Sequence, residues 1–544
     1  MIRLVWLALA ALSLQAQHSV FWERKQNTFH LKLEAGPEME VEFVTPSTFR
    51  VRRGLAGPAR RPIAASVLQV DVSATPAGAR FETDALILHV SRHEGLLAVR
   101  LPSSIGLYSE TAASVHGGGS LLELAAHPGE EFFGLGARPQ AVAGARGLAL
   151  KTETPFFVST RGYALWMGTP GAFEFDMAKS KSGSVRIAGS GMERLEYYFA
   201  FGPSLKEIWE ERLKVDGPIP DPAPRDLEMI PGPRLPRGAS RLPAFDQTGQ
   251  DLLCGEARAL VHASLSGILM PAFDLARYRG AELDVFRRAA NLGALAPIFQ
   301  DSQPLAFEGS KADIVAGTRA FRKRLNYFLL AYADEARARG YPILHPMFHQ
   351  YPHDIEAREH TDSFLLGDEL LVAPVCDGAP QKRVYLPLGI WTNWDTGKEE
   401  KGRRAVTVDT PAGGVIVFVK NGSILPLGGV SESDPMQLHY YPKSGGEFFL
   451  YEPGAIDYSQ AHAGPAADIY RLEMESKVDR DYEWVVHNMD QPKSVEQVEG
   501  GPFRQTQADG PAGPGQWRYD AANRAVHVGI HAPARSDIIV NLRF

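Results

Sequence analysis

Apolar and polar residues alternate with a period of two along much of the chain from Val20 to about Gly202. Phe29-His30-Leu31-Lys32-Leu33, Met39-Glu40-Val41-Glu42-Phe43 and Ala85-Leu86-Ile87-Leu88-His89-Val90 are examples. Successive side chains of a strand point to opposite faces, so this alternation predicts half-buried antiparallel strands, and their number predicts a β-sandwich. A helix is expected from about Ser204 to Lys214, with Leu205, Ile208 and Leu213 along one side. Prolines then crowd the chain at Pro218, Pro220, Pro222, Pro224, Pro231, Pro233, Pro236 and Pro243. They leave no room for a regular element and predict a linker over 217–243.

Helical periodicity returns at Leu252 to Ala263, at Leu283 to Leu292 and most clearly from Ile314 to Arg339. In that last segment Phe321, Leu325, Phe328, Leu329 and Tyr332 share a face. Asp313 is placed as its N-cap, and Gly340 with Pro342 ends it. Short apolar runs at Gly267 to Ala272, Ala294 to Phe299 and Pro342 to Phe348 separate these helices, the pattern of a parallel α/β unit. From Asp362 strands dominate again, at 370–375, 383–387 and 414–419, and a further set begins near Glu447-Phe448-Phe449-Leu450-Tyr451. Two more β-sandwiches are expected.

Composition adds bounds rather than detail. The 544 residues are 44% apolar and 22% charged with a net charge of -7, globular values that point to about three or four domains. The mild acidity gives no footprint for nucleic acid or an anionic membrane. Met1-Ile2-Arg3, the apolar run Leu4 to Leu14 and the small-residue site ending at Ala16 read as an export signal. At about 11 residues the run is too short to span a bilayer. A periplasmic or extracellular protein is expected, with no membrane contact after cleavage. Cys254 and Cys376 are the only cysteines. Two thiols make at most one bridge and neither stands in a metal or redox spacing, so two buried apolar thiols are expected. No metal or cofactor is implied.

Phe132 to Gly136, Pro155 to Tyr163, Tyr197 to Pro203, Gly340 to Phe348 and Leu365 to Val375 stand in an order that resembles glycoside hydrolase family 31, which contains α-glucosidases and α-xylosidases. Phe132-Phe133-Gly134-Leu135-Gly136, Pro155 to Tyr163 and Tyr197 to Pro203 are similar to its N-terminal sandwich, which is galactose-mutarotase-like in shape. Gly340 to Phe348 looks like the end of its catalytic barrel. Leu365 to Val375, Val384 to Pro387 and Asn421 to Leu427 look like its C-terminal sandwich. The resemblance implies a multidomain α+β chain divided into a signal at 1–16, an N-terminal β-sandwich at 17–216, a proline-rich linker at 217–243, a truncated (β/α)8 barrel remnant at 244–362, and C-terminal sandwiches at 363–445 and 446–544. It also implies an α-glycoside as partner.

Enzymes of this family retain configuration by using an Asp nucleophile and an Asp acid/base, a chemistry that needs two carboxyl groups about 5–5.5 Å apart. Asp246-Gln247-Thr248 resembles the Asp-Asn-Thr of the acid/base motif, which implies Asp246 as acid/base. Asp274 resembles the Asp of a Gly-Ala-Asp-Ile-Gly-Gly type motif, which implies a sugar-hydroxyl ligand. A turn-capping carboxylate is the structural alternative for either. The family's Arg and His after Ser-Pro-Phe-Phe are replaced by Gln300-Asp301-Ser302, and the motif that carries the nucleophile has no counterpart. Phe175-Asp176-Met177 belongs to the N-terminal sandwich, where Asp176 is structural.

A (β/α)8 barrel spends roughly 30 residues on each strand-helix unit. Residues 215–245 cannot supply the four or five units that should precede Asp246. The expectation is therefore a chain of impaired catalysis, or a non-catalytic carbohydrate-binding or scaffold protein, and loss of coding sequence at this point gives the same expectation. Residual turnover would need a recruited pair such as Asp246 with Asp274, or Asp251 and Glu256. An open parallel sheet also exposes apolar faces, which predicts an oligomer or partner that covers it.

Overall fold

The computed structural model describes residues 22–35, 38–54, 66–140, 144–221, 223, 225, 227–303, 306–429, 431, 433–455, 457–507 and 510–544. The expected signal at 1–16 lies outside the described residues. The protein is mostly β-sheet and falls into two compact units, one of residues 1–132 and 145–203, the other of 133–144 and 204–544.

In the first unit the expected alternation becomes antiparallel strands at Thr28–Leu31, Met39–Thr45 and Ile87–Ser91, in sheets of eight and nine strands. Phe29, Phe43, Phe49, Phe81 and Phe199 are fully buried. Their edge-to-face and stacked contacts fill the space between the sheets. Asp176 accepts the amide hydrogens of Lys179 and Ser180 at 2.8 and 3.1 Å, a turn-capping role.

The second unit begins with helix α1 (Leu205–Asp216), whose N-cap Ser204 and Glu207 form a reciprocal capping box. Its functional interest lies in a four-stranded parallel sheet built from β1 (Met229–Pro231), β2 (Ala239–Arg241), β3 (Met270–Asp274) and β4 (Ile298–Asp301). The spatial order is β1-β4-β3-β2, all neighbours parallel. Helix α2 (Gly249–Leu265) connects β2 to β3, α3 (Leu283–Ala294) connects β3 to β4, and α4 (Gly309–Arg339) follows β4.

Three sequence expectations are corrected here. The stretch 217–243 is not free of regular structure, because β1 and β2 form inside it. Both are three-residue edge strands, a position where prolines are tolerated since one side of the strand needs no ladder. Helix α4 starts at Gly309 with Glu308 as N-cap, which lies five residues before the expected cap Asp313. Asp313 instead lies in the early turns, where a carboxylate also favours the helix dipole and gives the same sequence signal. Leu344–His345, expected as a strand of the parallel unit, pairs antiparallel with Phe364–Leu366 in the following sheet.

The apolar faces of the parallel sheet are covered within the chain. Ala272, Phe273, Ile298 and Phe299 are buried with Leu260 of α2, Phe286 of α3, and Leu325 and Phe328 of α4 in one continuous core. The reason for expecting an exposed face fails because the two central strands are sealed by the chain's own helices, and the edges are short and polar at Ser240 and Arg241. From Leu344 onward lie a six-stranded sheet with a two-stranded companion, followed by two further six-stranded sheets. Among the described residues no helix is long and apolar enough to cross a membrane.

Cys254 and Cys376 are joined in a disulfide with Cα atoms 5.2 Å apart. The expectation of two separate thiols is thus overturned: α2 packs beside the turn that follows the strand Leu370–Pro374, and this proximity across 122 residues cannot be read from spacing.

Candidate functional site

Parallel α/β sheets present their chemistry at the carboxyl ends of the strands, where the loops converge. Asp274 closes β3 and Asp301 closes β4. Glu256 reaches the same end from α2, on the buried face that also carries Leu252, Leu253 and Leu260. The segment Leu275-Ala276-Arg277-Tyr278-Arg279, a 3-10 turn after β3 and the residue that caps it, supplies the partners.

Glu256 is fully buried. One of its oxygens accepts from the Arg277 guanidinium and the other from the Tyr278 hydroxyl at 2.5 Å. The Tyr278 ring lies flat on Phe273 at 5.6 Å, which fixes the hydroxyl. Burial pushes the Glu256 carboxyl up to about 7, against the pull of Arg277 and the Tyr278 hydrogen bond, and the negative charge of Asp274 adds to the rise. Asp274 Oδ1 accepts the amide hydrogens of Ala276 at 3.1 Å and Ser302 at 3.0 Å, so this carboxylate ties the end of β3 to the end of β4. Asp301 receives Arg279 Nη2 at 2.8 and 2.7 Å, and Arg279 stacks over Phe307 at 3.8 Å. Gln300 is buried and donates to the Gly232 carbonyl at 2.7 Å, which holds the end of β1.

The structure therefore brings Asp274 and Glu256 into electrostatic contact. Asp246 and Asp251 are exposed, and among the described residues neither side chain has a hydrogen-bond or ion-pair partner. Arg277, Tyr278 and Arg279 stand in no motif that marks them as site residues. Their signal was two arginines in the five residues after a strand that ends in Asp, a pattern that asks for carboxylate partners. Chemically, the cluster holds one carboxyl that titrates near neutrality beside one that acts as a turn cap. Both oxygens of Glu256 and of Asp301 and Oδ1 of Asp274 are occupied by a guanidinium, a hydroxyl or backbone amides, and among the described residues Asp274 Oδ2 has no hydrogen-bond partner.

This arrangement makes pH dependence testable. Glu256 has its folded pKa above the unfolded value of 4.5, so the native state holds the proton more tightly. Its stabilisation is full below about 4.5 and is lost as pH rises to about 7. Relative to Glu256→Gln, which cannot ionise, the wild-type protein should lose on the order of 3 kcal/mol across that window. Urea unfolding of both proteins at pH 4.5 and 7.5 measures the difference, and parallel stabilities would show that Glu256 is not the titrating group.

The comparisons with known proteins bear on descent. The glycosyl hydrolase family 31 C-terminal domain model matches residues 340–425. Alpha-glucosidase 2 of Bacillus thermoamyloliquefaciens is 26% identical over 232 residues, 40% of this chain and 29% of that protein. An alpha-xylosidase of Saccharolobus solfataricus is 30% identical over 147 residues, 25% of this chain and 20% of the relative. The matched stretches thus span less than a third of either curated relative. A family 31 dextranase of Flavobacterium johnsoniae, solved with isomaltotriose, superposes with a TM-score of 0.79 at 15% identity over 96% of this chain and 99% of that one. A Listeria monocytogenes protein solved with glucose gives 0.80 at 14% identity, over 96% and 76% of the two chains. The C-terminal domain model and the curated relatives support a glycoside hydrolase family 31 member, and the solved structures share its fold.

Proposed function

We propose that this protein is an exported family 31 descendant that retains contact with α-glycosides but hydrolyses them negligibly. In this reading the four-stranded parallel sheet is what remains of the family's barrel, and the strand that carried the nucleophile is gone. The observation that carries it is the state of the carboxylates at the strand ends. Glu256 and Asp301 are paired with Arg277 and Arg279, and Asp274 caps two backbone amides through one of its oxygens. A retaining pair needs one carboxylate free to attack carbon and one free to deliver a proton. Asp246, the acid/base implied by the resemblance, is exposed to solvent, where a lone carboxyl with water gives little rate.

Export is favoured by the basic and apolar start of the chain and by the Cys254–Cys376 bridge, since disulfides persist in oxidising compartments. The purified protein should release no measurable 4-nitrophenol from α-glucoside or α-xyloside substrates. Turnover of about one per second, within the ordinary enzyme range and abolished by Asp246→Ala, would overturn the proposal. Inversion of the product would then identify a water-mediated pair, and retention a new nucleophile.

A further inference from the structure

Within the second unit, away from the strand-end cluster, a cavity of about 590 Å³ opens between α4, the turn after the strand Ile390–Asn393 and the closing sheets of the chain. Its size falls in the range of small-molecule sites. Trp394 forms a wall. Its backbone N–H is donated to the Val417 carbonyl at 2.9 Å, and its ring meets Phe321 edge-on at 6.3 Å, so the half-buried indole is held in place. Trp394, Phe321 and Asp395 also line an adjoining cavity of about 220 Å³, which makes the indole common to both spaces.

The cavity contains a neutral stack of rings. Tyr441 lies on His487 at 4.3 Å, and His487 on His439 at 5.2 Å, with His439 Nδ1 and His487 Nε2 sharing a hydrogen bond at 2.9 Å. Burial holds His487 down to about 4 and His439 well below the usual range, so these imidazoles are uncharged at neutral pH.

The charged groups define the ligand by what they leave open. Arg324 is committed to the Gly428 carbonyl and to Gln437, each at 3.0 Å, and Arg524 to Asp490 at 3.0 Å. Two Arg324 nitrogens and one of Arg524 are thus already occupied, and the presence of both guanidinium groups around the same cavity opposes a cationic ligand. The Asp395 carboxylate has no hydrogen-bond or ion-pair partner among the described residues, while Asn393 pins its turn by accepting the amide hydrogens of Asp395 and Thr396 at 3.1 and 3.0 Å. An aromatic wall beside a fixed, unpaired acceptor suits a ligand with an aliphatic C–H face and hydroxyl donors on its edges. That is the surface of a pyranose ring.

We propose that this cavity binds a short neutral saccharide, with Trp394 as the stacking platform and Asp395 as the hydroxyl acceptor. The site is independent of the strand-end cluster and does not require hydrolysis. Isothermal titration of the whole protein with maltotriose and with isomaltotriose tests it. At least one should bind saturably, Trp394→Ala should weaken that binding at least about tenfold, and Asp395→Asn about threefold or more. Asp395 is exposed, so its variant keeps the test open if loss of the indole disturbs folding, which circular dichroism reads separately. Failure of both trisaccharides to bind would overturn the proposal. So would binding insensitive to both variants but lost in Asp274→Asn, which would place the saccharide at the strand ends and leave the reading of descent intact.

Discussion

Removing the Cys254–Cys376 bridge should cost the second unit several kcal/mol. The two cysteines are 122 residues apart in sequence, and closing a loop of that length restricts the unfolded chain by about 5 kcal/mol on a chain-entropy estimate, with measured removals of native bridges at about 2–5 kcal/mol. The bridge joins α2 to the turn after Leu370–Pro374, so its loss frees the parallel sheet from the sheet that follows it. The same junction is reinforced by Arg288 of α3, which donates to the Cys376 carbonyl at 2.6 Å and pairs with Asp284. Substituting both cysteines by alanine avoids a stray thiol. The urea midpoint of this variant should fall well below that of the oxidised wild-type protein, and the wild-type protein in reductant should shift with it. Equal midpoints in all three would mean that the bridge does not form in solution.

Arg322→Leu should be comparably damaging, by about 3–5 kcal/mol. Arg322 on α4 is fully buried, and among the described residues it has no carboxylate partner. It donates instead to four backbone carbonyls, those of Leu227, Ala294, Ala296 and Pro297. These lie just before β1 and β4, so one guanidinium holds the entry ends of two neighbouring parallel strands. Burial lowers its pKa to about 9, which leaves it charged at neutral pH, with carbonyl dipoles in place of water. Leucine fills much of the volume but leaves those carbonyls without donors, and each buried unsatisfied group costs about 1–3 kcal/mol. Arg322→Lys has three donors on a compact head and should restore less than half of the loss. Thermal unfolding of the three proteins decides this, and a Leu variant as stable as wild type would show that water replaces the guanidinium.

The legible parts of the fold were those written in local pattern. The alternation at Met39–Thr45 and Ile87–Ser91, the stripe of Leu325, Phe328 and Leu329, and the Gly340 stop each follow from a period or a backbone preference. Gly340 adopts φ 76, the left-handed conformation that glycine enters without a Cβ penalty. The elements that escaped depend on distant partners. Met229–Pro231 and Ala239–Arg241 are too short and too close to prolines to announce themselves, and become strands only because β4 and β3 lie alongside. The disulfide depends on a packing contact between α2 and a distant turn. At the candidate site Asp274 and Glu256 were readable as carboxylates in a suggestive place. Their occupation by Ala276, Ser302, Arg277 and Tyr278 was not, because ion pairing is set by three-dimensional geometry.

The most direct measurement is a covalent trap. A fluorinated α-glucosyl fluoride that reacts with the nucleophile of a retaining glycosidase leaves a glycosyl group on the attacking carboxylate. After prolonged incubation with excess reagent, intact-mass spectrometry should find this protein unmodified, because Glu256 and Asp301 are held by Arg277 and Arg279, Asp274 caps two backbone amides through one oxygen, and Asp246 is exposed to solvent. A stoichiometric glycosyl adduct, mapped by peptide sequencing to Asp246, Asp251, Glu256 or Asp274, would contradict the proposed loss of catalysis and identify the replacement nucleophile.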